Sequence, residues 1–249
     1  MNDLSGKIAL ITGASSGIGA ATAIALAREG VIVAIAARRI EKLISLQKEI
    51  ESEGGAAIVI EMDVANETSV KNGVGQLIEK EGKIDILFNN AGIMPVSEID
   101  EFKLDEWHNM VDINVKGVLN CLGAVLPHMI KKESGHIFNT SSIAGRKVFG
   151  PGFTVYSATK FAISALSEGL RMELGNKHNI RVTSIQPGAV ATELPEQTTT
   201  PEKRKALEDY KKSIQFLSPE DIAQSIVYAA KTSAHINVAE IYILPTEQI

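Results

Sequence analysis

The chain has 249 residues, with 25 Lys+Arg against 30 Asp+Glu and a net charge of −5. That length suits one α/β domain with a large core, and the acidic balance argues against a nucleic-acid partner. The single cysteine, Cys121, excludes an internal disulfide and a C-x-x-C zinc site. No apolar run nears the roughly 18 residues of a membrane span. Asp3 stands where a signal peptide would need positive charge. A cytoplasmic protein without a membrane or nucleic-acid partner is expected.

Short apolar runs alternate with longer helical patterns along the chain. The strand candidates are Ile8–Thr12, Val31–Ala36, Ala57–Glu61, Ile84–Phe88, His136–Thr140, Arg181–Ile185 and Glu240–Leu244. They read as near-continuous apolar runs, which suits strands buried on both faces of a parallel sheet. Helical period runs through Ala20–Glu29, Ile40–Glu53, Glu67–Glu81, Leu104–Lys131, Val155–Leu174 and Pro219–Lys231. Ser218-Pro219-Glu220-Asp221 reads as a helix start, with Ser as cap, Pro in the first turn and acids at the positive dipole end. Repeated β–α units predict one doubly wound domain with a seven-stranded, mainly parallel sheet flanked by helices. Ala189–Leu217 breaks the rhythm: it is long, polar and charged. Such a segment inside a compact domain predicts a lid, a binding loop or a disordered stretch; as a lid, Pro201–Lys212 would move on hinges near Thr198–Thr200 and Ser213.

The first strand runs into Thr12-Gly13-Ala14-Ser15-Ser16-Gly17-Ile18-Gly19, and a helix follows. Strand, glycine-rich turn and helix form the context of a Rossmann-type dinucleotide fingerprint. Gly13 permits a tight turn, Gly17 a close approach to pyrophosphate and Gly19 close helix packing. The helix N-terminus then offers free N–H groups to phosphate. An acid about 20 residues on normally holds the adenosine ribose. Here the second strand ends Ala36-Ala37-Arg38-Arg39, with no carboxylate at Ala37. Two guanidinium groups suit a 2′-phosphate, so the expected cofactor is NADP(H).

Tyr156 and Lys160 stand at i and i+4 on one helix face. An ammonium beside a phenol should lower the phenol pKa and suit it to acid–base work. Ser141-Ser142, Asn89-Asn90-Ala91-Gly92 and Gln186-Pro187-Gly188 each follow a strand. Polar and small residues therefore gather at the carboxyl edge of the sheet, where open α/β sheets bind ligands.

Taken together, Thr12–Gly19, Asp63-Val64, Asn89–Gly92, Asn114, Ser142, Tyr156, Lys160 and Pro187–Thr192 give a sequence that resembles the short-chain dehydrogenase/reductase family over essentially its whole length. Ala36–Arg39 and the ending Glu240–Ile249 look most like its NADP-dependent subgroup of clavulanate, serine and 3-hydroxy acid dehydrogenases. The resemblance implies a carbonyl reductase or alcohol dehydrogenase acting on CH–OH groups of small molecules. It implies Tyr156 as acid/base, Ser142 on the carbonyl oxygen, and Lys160 on the nicotinamide ribose and the phenol pKa. Asn114 would hold a relay water. Ser142 rather than Ser141 is assigned because Ser142-Ile143-Ala144-Gly145 keeps the family spacing to glycine. The cofactor would contact Gly13, Ser15, Ser16, Gly17, Ile18 and Gly19, then Arg38 and Arg39, with Asp63 and Val64 at the adenine. Asn90, Ala91 and Gly92 would line its ribose side, and Pro187, Gly188, Val190 and Thr192 would orient the carboxamide. Met94, Val96, Ile143, Val148, Phe149, Phe153, Leu194 and Tyr210 are the implied pocket residues.

The five histidines show no ligand spacing, so no catalytic metal is expected. Cys121 reads as a small buried hydrophobe and Trp107 as packing. Glu193, just past the nicotinamide turn, stays outside the catalytic set although it could reach substrate. Long helices with unspent apolar surface, together with the resemblance, imply a homotetramer or homodimer. Two other readings are a β-ketoacyl carrier-protein reductase and a non-catalytic NADP sensor. The intact Ser142, Tyr156, Lys160 and Asn114 argue against the sensor.

Overall fold

A computed structural model describes residues 2–248. Seven strands form one sheet: β1 Ile8–Thr12, β2 Ile32–Ala37, β3 Ala56–Glu61, β4 Ile86–Asn89, β5 Gly135–Thr140, β6 Ile180–Pro187 and β7 Glu240–Ile243. Their order is β3-β2-β1-β4-β5-β6-β7, and every neighbouring pair is parallel. The chain winds outward from β1 to β3, then returns beside β1 to begin β4. This reversal opens a crevice at the carboxyl ends of β1 and β4, where a ligand can enter.

The described residues form eight α-helices: α1 Gly17–Arg28, α2 Ile40–Ser52, α3 Glu67–Glu81, α4 Leu104–Val111, α5 Gly117–Lys132, α6 Thr154–His178, α7 Pro201–Ser213 and α8 Pro219–Ala230. One core forms where α1, α2 and α8 bury Leu26, Leu43, Ile50 and Ile226 against Ile11, Ile35 and Phe88. The second forms on the other face, where Val74, Leu77, Val125 and Ile163 meet Leu10, Leu87 and Ile137. Strand residues thus bury alternately toward each layer, and this explains their continuous apolar runs. Ser218 caps α8 as expected, in a reciprocal capping box with Asp221.

Three boundaries differ instructively from the sequence expectation. β4 starts at Ile86 rather than Ile84, because Asp85 turns its carboxylate to the Ile8 N–H at 2.9 Å. Lys7, Lys83 and Lys132 surround that buried carboxylate. α6 runs on to His178 and stops at Asn179, whose left-handed backbone ends the helix.

The third concerns the expected single helix over Leu104–Lys131. A π-turn at Asp112–Lys116 divides it into α4 and α5. Gly117 there lies so close to the neighbouring β3–α3 loop that a Cβ would stand 2.8 Å from Val64 Cγ2. The combined stretch, Leu104–Lys132, is long and apolar enough to cross a membrane. Instead Val118, Cys121, Leu122, Val125 and Met129 pack into the second core. Burial pushes the Cys121 thiol up to about 12, as fits a structural cysteine.

Candidate active site

The carboxyl edge of the sheet carries a cleft of about 1020 Å³. It is lined at one end by Gly13, Ser15, Ser16, Gly17, Ile18, Arg38, Arg39, Asp63 and Val64, and in its middle by Asn90, Ala91 and Gly92. Ser142, Tyr156 and Lys160 line its other end, with Pro187, Gly188, Val190 and Thr192 above them. The structure thus gathers these separate sequence motifs into one groove.

The phosphate end follows from glycine geometry. Gly13 and Gly17 have φ of 64° and 56°, a region costly for other residues. A Cβ on Gly13 would stand 2.7 Å from Ala91 Cα, and one on Gly19 2.6 Å from Asn90 Nδ2. Asn90 itself donates to the carbonyls of Thr12 and Gly13 at 3.0 and 3.3 Å. Its amide nitrogen thus braces the glycine turn. Ser16 precedes α1 without a side-chain cap, so the first N–H groups of the helix are left for an anion. This cradle fits the pyrophosphate of a dinucleotide. Replacing Gly13 with Ala should destabilise the protein by about 1–2 kcal/mol from backbone strain alone, and more from the Ala91 contact. A thermal midpoint lowered by at least ~2 °C would show it.

At the adenosine end, Arg38 is exposed and makes no hydrogen bond among the described residues. Arg39 lies across the glycine turn, with Nε and Nη2 donating to Ser15 Oγ at 3.1 and 2.9 Å and Nη2 to Ser16 Oγ at 2.8 Å. Its Nη1 donates to Glu193 at 2.9 Å, and Lys42 Nζ reaches the same carboxylate at 2.7 Å. Lys42, first Arg39 second, holds the Glu193 carboxyl down at about 2. Sequence reading missed this arrangement: Glu193 turns toward the adenosine end. Lys42, three residues past Arg39 in the first turn of α2, was the available signal.

At the reacting end, α6 presents Tyr156 and Lys160 on one face, and the turn after β5 presents Ser142. Lys160 Nζ donates to the Thr140 carbonyl at 2.8 Å and lies 5.6 Å from the Tyr156 ring centre. Ser141 is tied to the Lys160 carbonyl and to Ser164, each at 2.8 Å. Ser142 instead accepts from the Ala144 N–H at 3.0 Å and faces the Tyr156 hydroxyl. The expected depression of the phenol pKa is not found. Burial drives Tyr156 up to about 12, and Ser142 offsets this in part. Burial also brings Lys160 down to about 8. Desolvation wins because both groups lie under 10% exposed, where charge is costly.

Asn114 is buried at the π-turn. Its Oδ1 accepts from the Ile93 N–H at 2.9 Å, and its Nδ2 donates to the Ile93 carbonyl and Thr159 Oγ1 at 3.0 and 3.1 Å. The side chain thus anchors the loop after β4 against α6. A Cβ on Gly92 in that loop would stand 3.3 Å from Asn114 Oδ1 and 3.6 Å from Lys160 Nζ.

The substrate side of the cleft takes Met94, Ile143, Phe149, Phe153, Leu194 and Tyr210. Two expected pocket residues do not line it. Val96 is buried beneath Gly152, and Val148 is exposed on the surface. Phe216 and Gln248 join the lining instead, and Gln248 Oε1 accepts from the Ala189 N–H at 2.8 Å. Trp107 packs beside Met110 and Tyr156, as its reading as a packing residue requires.

The segment after β6 is ordered as a short 3-10 turn, Leu194–Gln197, and α7. Thr198–Thr200, the expected hinge, is held by hydrogen bonds. Thr198 is fully buried and Arg204 grips its carbonyl at 2.7 Å. Lys103 donates to Thr199 and Thr200 at 2.8 and 2.6 Å. Glu101 and Glu106 accept from the same two threonines. This web anchors the segment to the loop before α4 and to the first turn of α4.

Known proteins share this architecture. The short chain dehydrogenase family matches residues 7–203. An uncharacterized oxidoreductase of Listeria innocua is 46% identical over 243 residues, covering 97% of both chains. The glycine betaine reductase ATRR of Emericella nidulans is 43% identical over 247 residues, 98% of this chain but 19% of that longer protein. Among solved structures, the closed form of a serine dehydrogenase complexed with NADP+ superposes with a TM-score of 0.89 at 32% identity, covering 97% of this chain and 96% of the other. An alcohol dehydrogenase from Thermococcus sibiricus complexed with 5-hydroxy-NADP gives 0.85 at 29% identity, covering 98% of each chain. With its doubly wound fold and these matches, the chain belongs to the short-chain dehydrogenase family of oxidoreductases.

Proposed function

We propose that the protein is an NADPH-dependent carbonyl reductase, reversible as an alcohol dehydrogenase, with Tyr156 as its general acid/base. The observation that carries the reading is the convergence of Ser142, Tyr156 and Lys160 at one end of a cleft whose other end is an uncapped helix terminus flanked by arginines. The NADP complexes of the serine dehydrogenase and the Thermococcus sibiricus enzyme support the choice of cofactor. So does the absence of a carboxylate at Ala37.

When bound, the nicotinamide supplies the hydride from its C4. Gly13, Gly17 and the α1 terminus hold the pyrophosphate, Asp63 and Val64 flank the adenine, and Pro187–Thr192 orients the carboxamide. Ser142 donates a hydrogen bond to the substrate carbonyl oxygen. Tyr156, protonated at neutral pH, gives that oxygen its proton as negative charge develops there. An alkoxide is the conjugate base of an acid about as weak as water, pKa ~15.7. A phenol at about 12 therefore still transfers its proton downhill. Lys160 keeps positive charge beside the phenol and holds the ribose. Asn114, whose side chain ties the loop after β4 to α6, holds the relay water that links Lys160 to solvent.

This assignment has a pH consequence. Lys160 loses its proton as pH rises through about 8, so reductive kcat/KM should fall across that value. Fold stability should move oppositely. The unfolded lysine titrates near 10.5, so the cost of burying its charge is relieved between about 8 and 10.5. A reductive pH profile flat from 7 to 9.5 would reject the role given to Lys160.

Oxidation of NADPH against a panel of ketones and aldehydes tests the activity itself. Phe149, Phe153, Tyr210 and Phe216 favour substrates with an apolar body. A carrier-protein substrate is disfavoured, since Arg146 is tied to Glu240 and Gln186 at 2.8 and 2.6 Å and does not stand free as a docking cation. We place the protein in the cytoplasm, with Ala189–Leu217 as the substrate loop.

The same reading includes a homotetramer or homodimer. Leu104, Leu119, Phe161 and Met172 expose apolar surface along α4, α5 and α6, with Met172 67% exposed. Light scattering should return a multiple of the 26.7 kDa chain mass at micromolar concentration. A stable monomer would reject it.

A further inference from the structure

The cation pair at the adenosine end already holds an anion, and the anion belongs to the substrate loop. Glu193 lies between Arg39 and Lys42 at 2.9 and 2.7 Å. Its neighbour Thr192 backs onto the glycine turn: a Cβ on Gly17 would stand 3.1 Å from Thr192 Cγ2. The rest of the loop is held elsewhere. Thr198–Thr200 is bound to the segment before α4, and the loop base is bridged between Val190 and Leu217. Between these anchors the far end of the arm is tied by Gln197, which accepts from the Met94 N–H at 3.1 Å, and Glu193 is the carboxylate that joins the near end to the adenosine end.

Four of the five N–H donors of the Arg39 guanidinium are engaged. Two of its nitrogens donate to Ser15 and Ser16, and Nη1 donates to Glu193. Arg38, beside Arg39, is unengaged among the described residues, and a 2′-phosphate that also reaches Arg39 and Lys42 must replace the carboxylate or share these cations with it. A carboxylate carries one negative charge, whereas a phosphate monoester carries about 1.5 to 2 at pH 7. It also offers three oxygens to the guanidinium fork and the ammonium. A ribose with a free 2′-hydroxyl brings no charge to contest the position.

We infer that Glu193 is a specificity-determining latch: its carboxylate occupies the anion position between Arg39 and Lys42, and a 2′-phosphate takes that position and releases the arm of the substrate loop. Phosphate recognition at one end of the cleft is thereby tied to the freedom of the loop that covers the other. A dinucleotide without the phosphate leaves the latch shut. Both ionic partners are about half exposed, so the competition is modest in size. The inference rests on the NADP reading above.

Fragments of the cofactor test it without any turnover. Calorimetric titration of the cofactor-free protein with adenosine 2′,5′-bisphosphate and with 5′-AMP separates the 2′-phosphate from everything else in the nucleotide. Glu193→Gln keeps the shape and removes the charge. It should bind the bisphosphate about two- to fivefold more tightly than the wild type, with 5′-AMP affinity unchanged. The gain should shrink in high salt. In the wild type, the bisphosphate should speed hydrogen exchange over residues 192–197, and 5′-AMP should not. Unchanged or weaker bisphosphate binding in Glu193→Gln overturns the inference. So does an equal gain for both fragments, which marks a general loosening of the site. A wild type that prefers the bisphosphate, with that preference unaltered in the variant, overturns the latch alone. A wild type that binds the two fragments equally overturns the NADP reading and the latch with it.

Discussion

Replacing Tyr156 with Phe is expected to cut turnover by about 10²–10⁴-fold, the usual worth of a positioned general acid. Cofactor binding should stay near the wild-type value. The reason is geometric. The ring is 6% exposed and packs with Met110 and Ala144, contacts that Phe retains. What disappears is the hydroxyl facing Ser142, the sole proton donor proposed for the carbonyl oxygen. NADPH fluorescence titration alongside a carbonyl reduction assay separates the two effects. Wild-type turnover in Tyr156→Phe would refute the acid/base assignment. Loss of binding together with turnover would instead point to damage to the cleft.

The second large effect concerns the choice between NADPH and NADH. Ala37 ends β2 inside the cleft wall, and Arg38 follows it into solvent. The double change Ala37→Asp with Arg38→Ala places a carboxylate where a ribose diol can bind it and removes the unengaged guanidinium. A charge-assisted hydrogen bond contributes about 1.5–3 kcal/mol. Its loss therefore shifts the preference by about ten- to a hundredfold, and repulsion between carboxylate and phosphate adds to that. The ratio of kcat/KM for NADPH over NADH should invert. If the wild type uses both cofactors equally well, the reading of the second strand is wrong.

Much of this protein follows from its local sequence. The seven apolar runs identify the seven strands because a sheet covered on both faces tolerates little polarity inside it. Thr12–Gly19 identifies the phosphate cradle because positive φ and close backbone approach leave glycine as the fitting residue. Tyr156 and Lys160 declare a shared face through helical spacing alone. Each of these is a short-range constraint, and short-range constraints are written into adjacent residues.

What tertiary structure decided involves energies that depend on distant neighbours. The proximity of Lys160 suggests a lowered phenol pKa, yet burial raises Tyr156 to about 12, because desolvation is set by everything packed around a group. Thr198–Thr200 has the composition of a hinge, and its bonding partners Lys103, Glu101 and Glu106 stand about a hundred positions earlier in the chain. Asn90 and Asn114 look like ligand-binding amides, and the fold commits their side-chain nitrogens to the backbone of neighbouring loops. Glu193 could have faced substrate. It faces Arg39 and Lys42 because the turn after β6 is carried past the start of α2, and the placement of one loop against another is a property of the whole sheet order rather than of any segment within it.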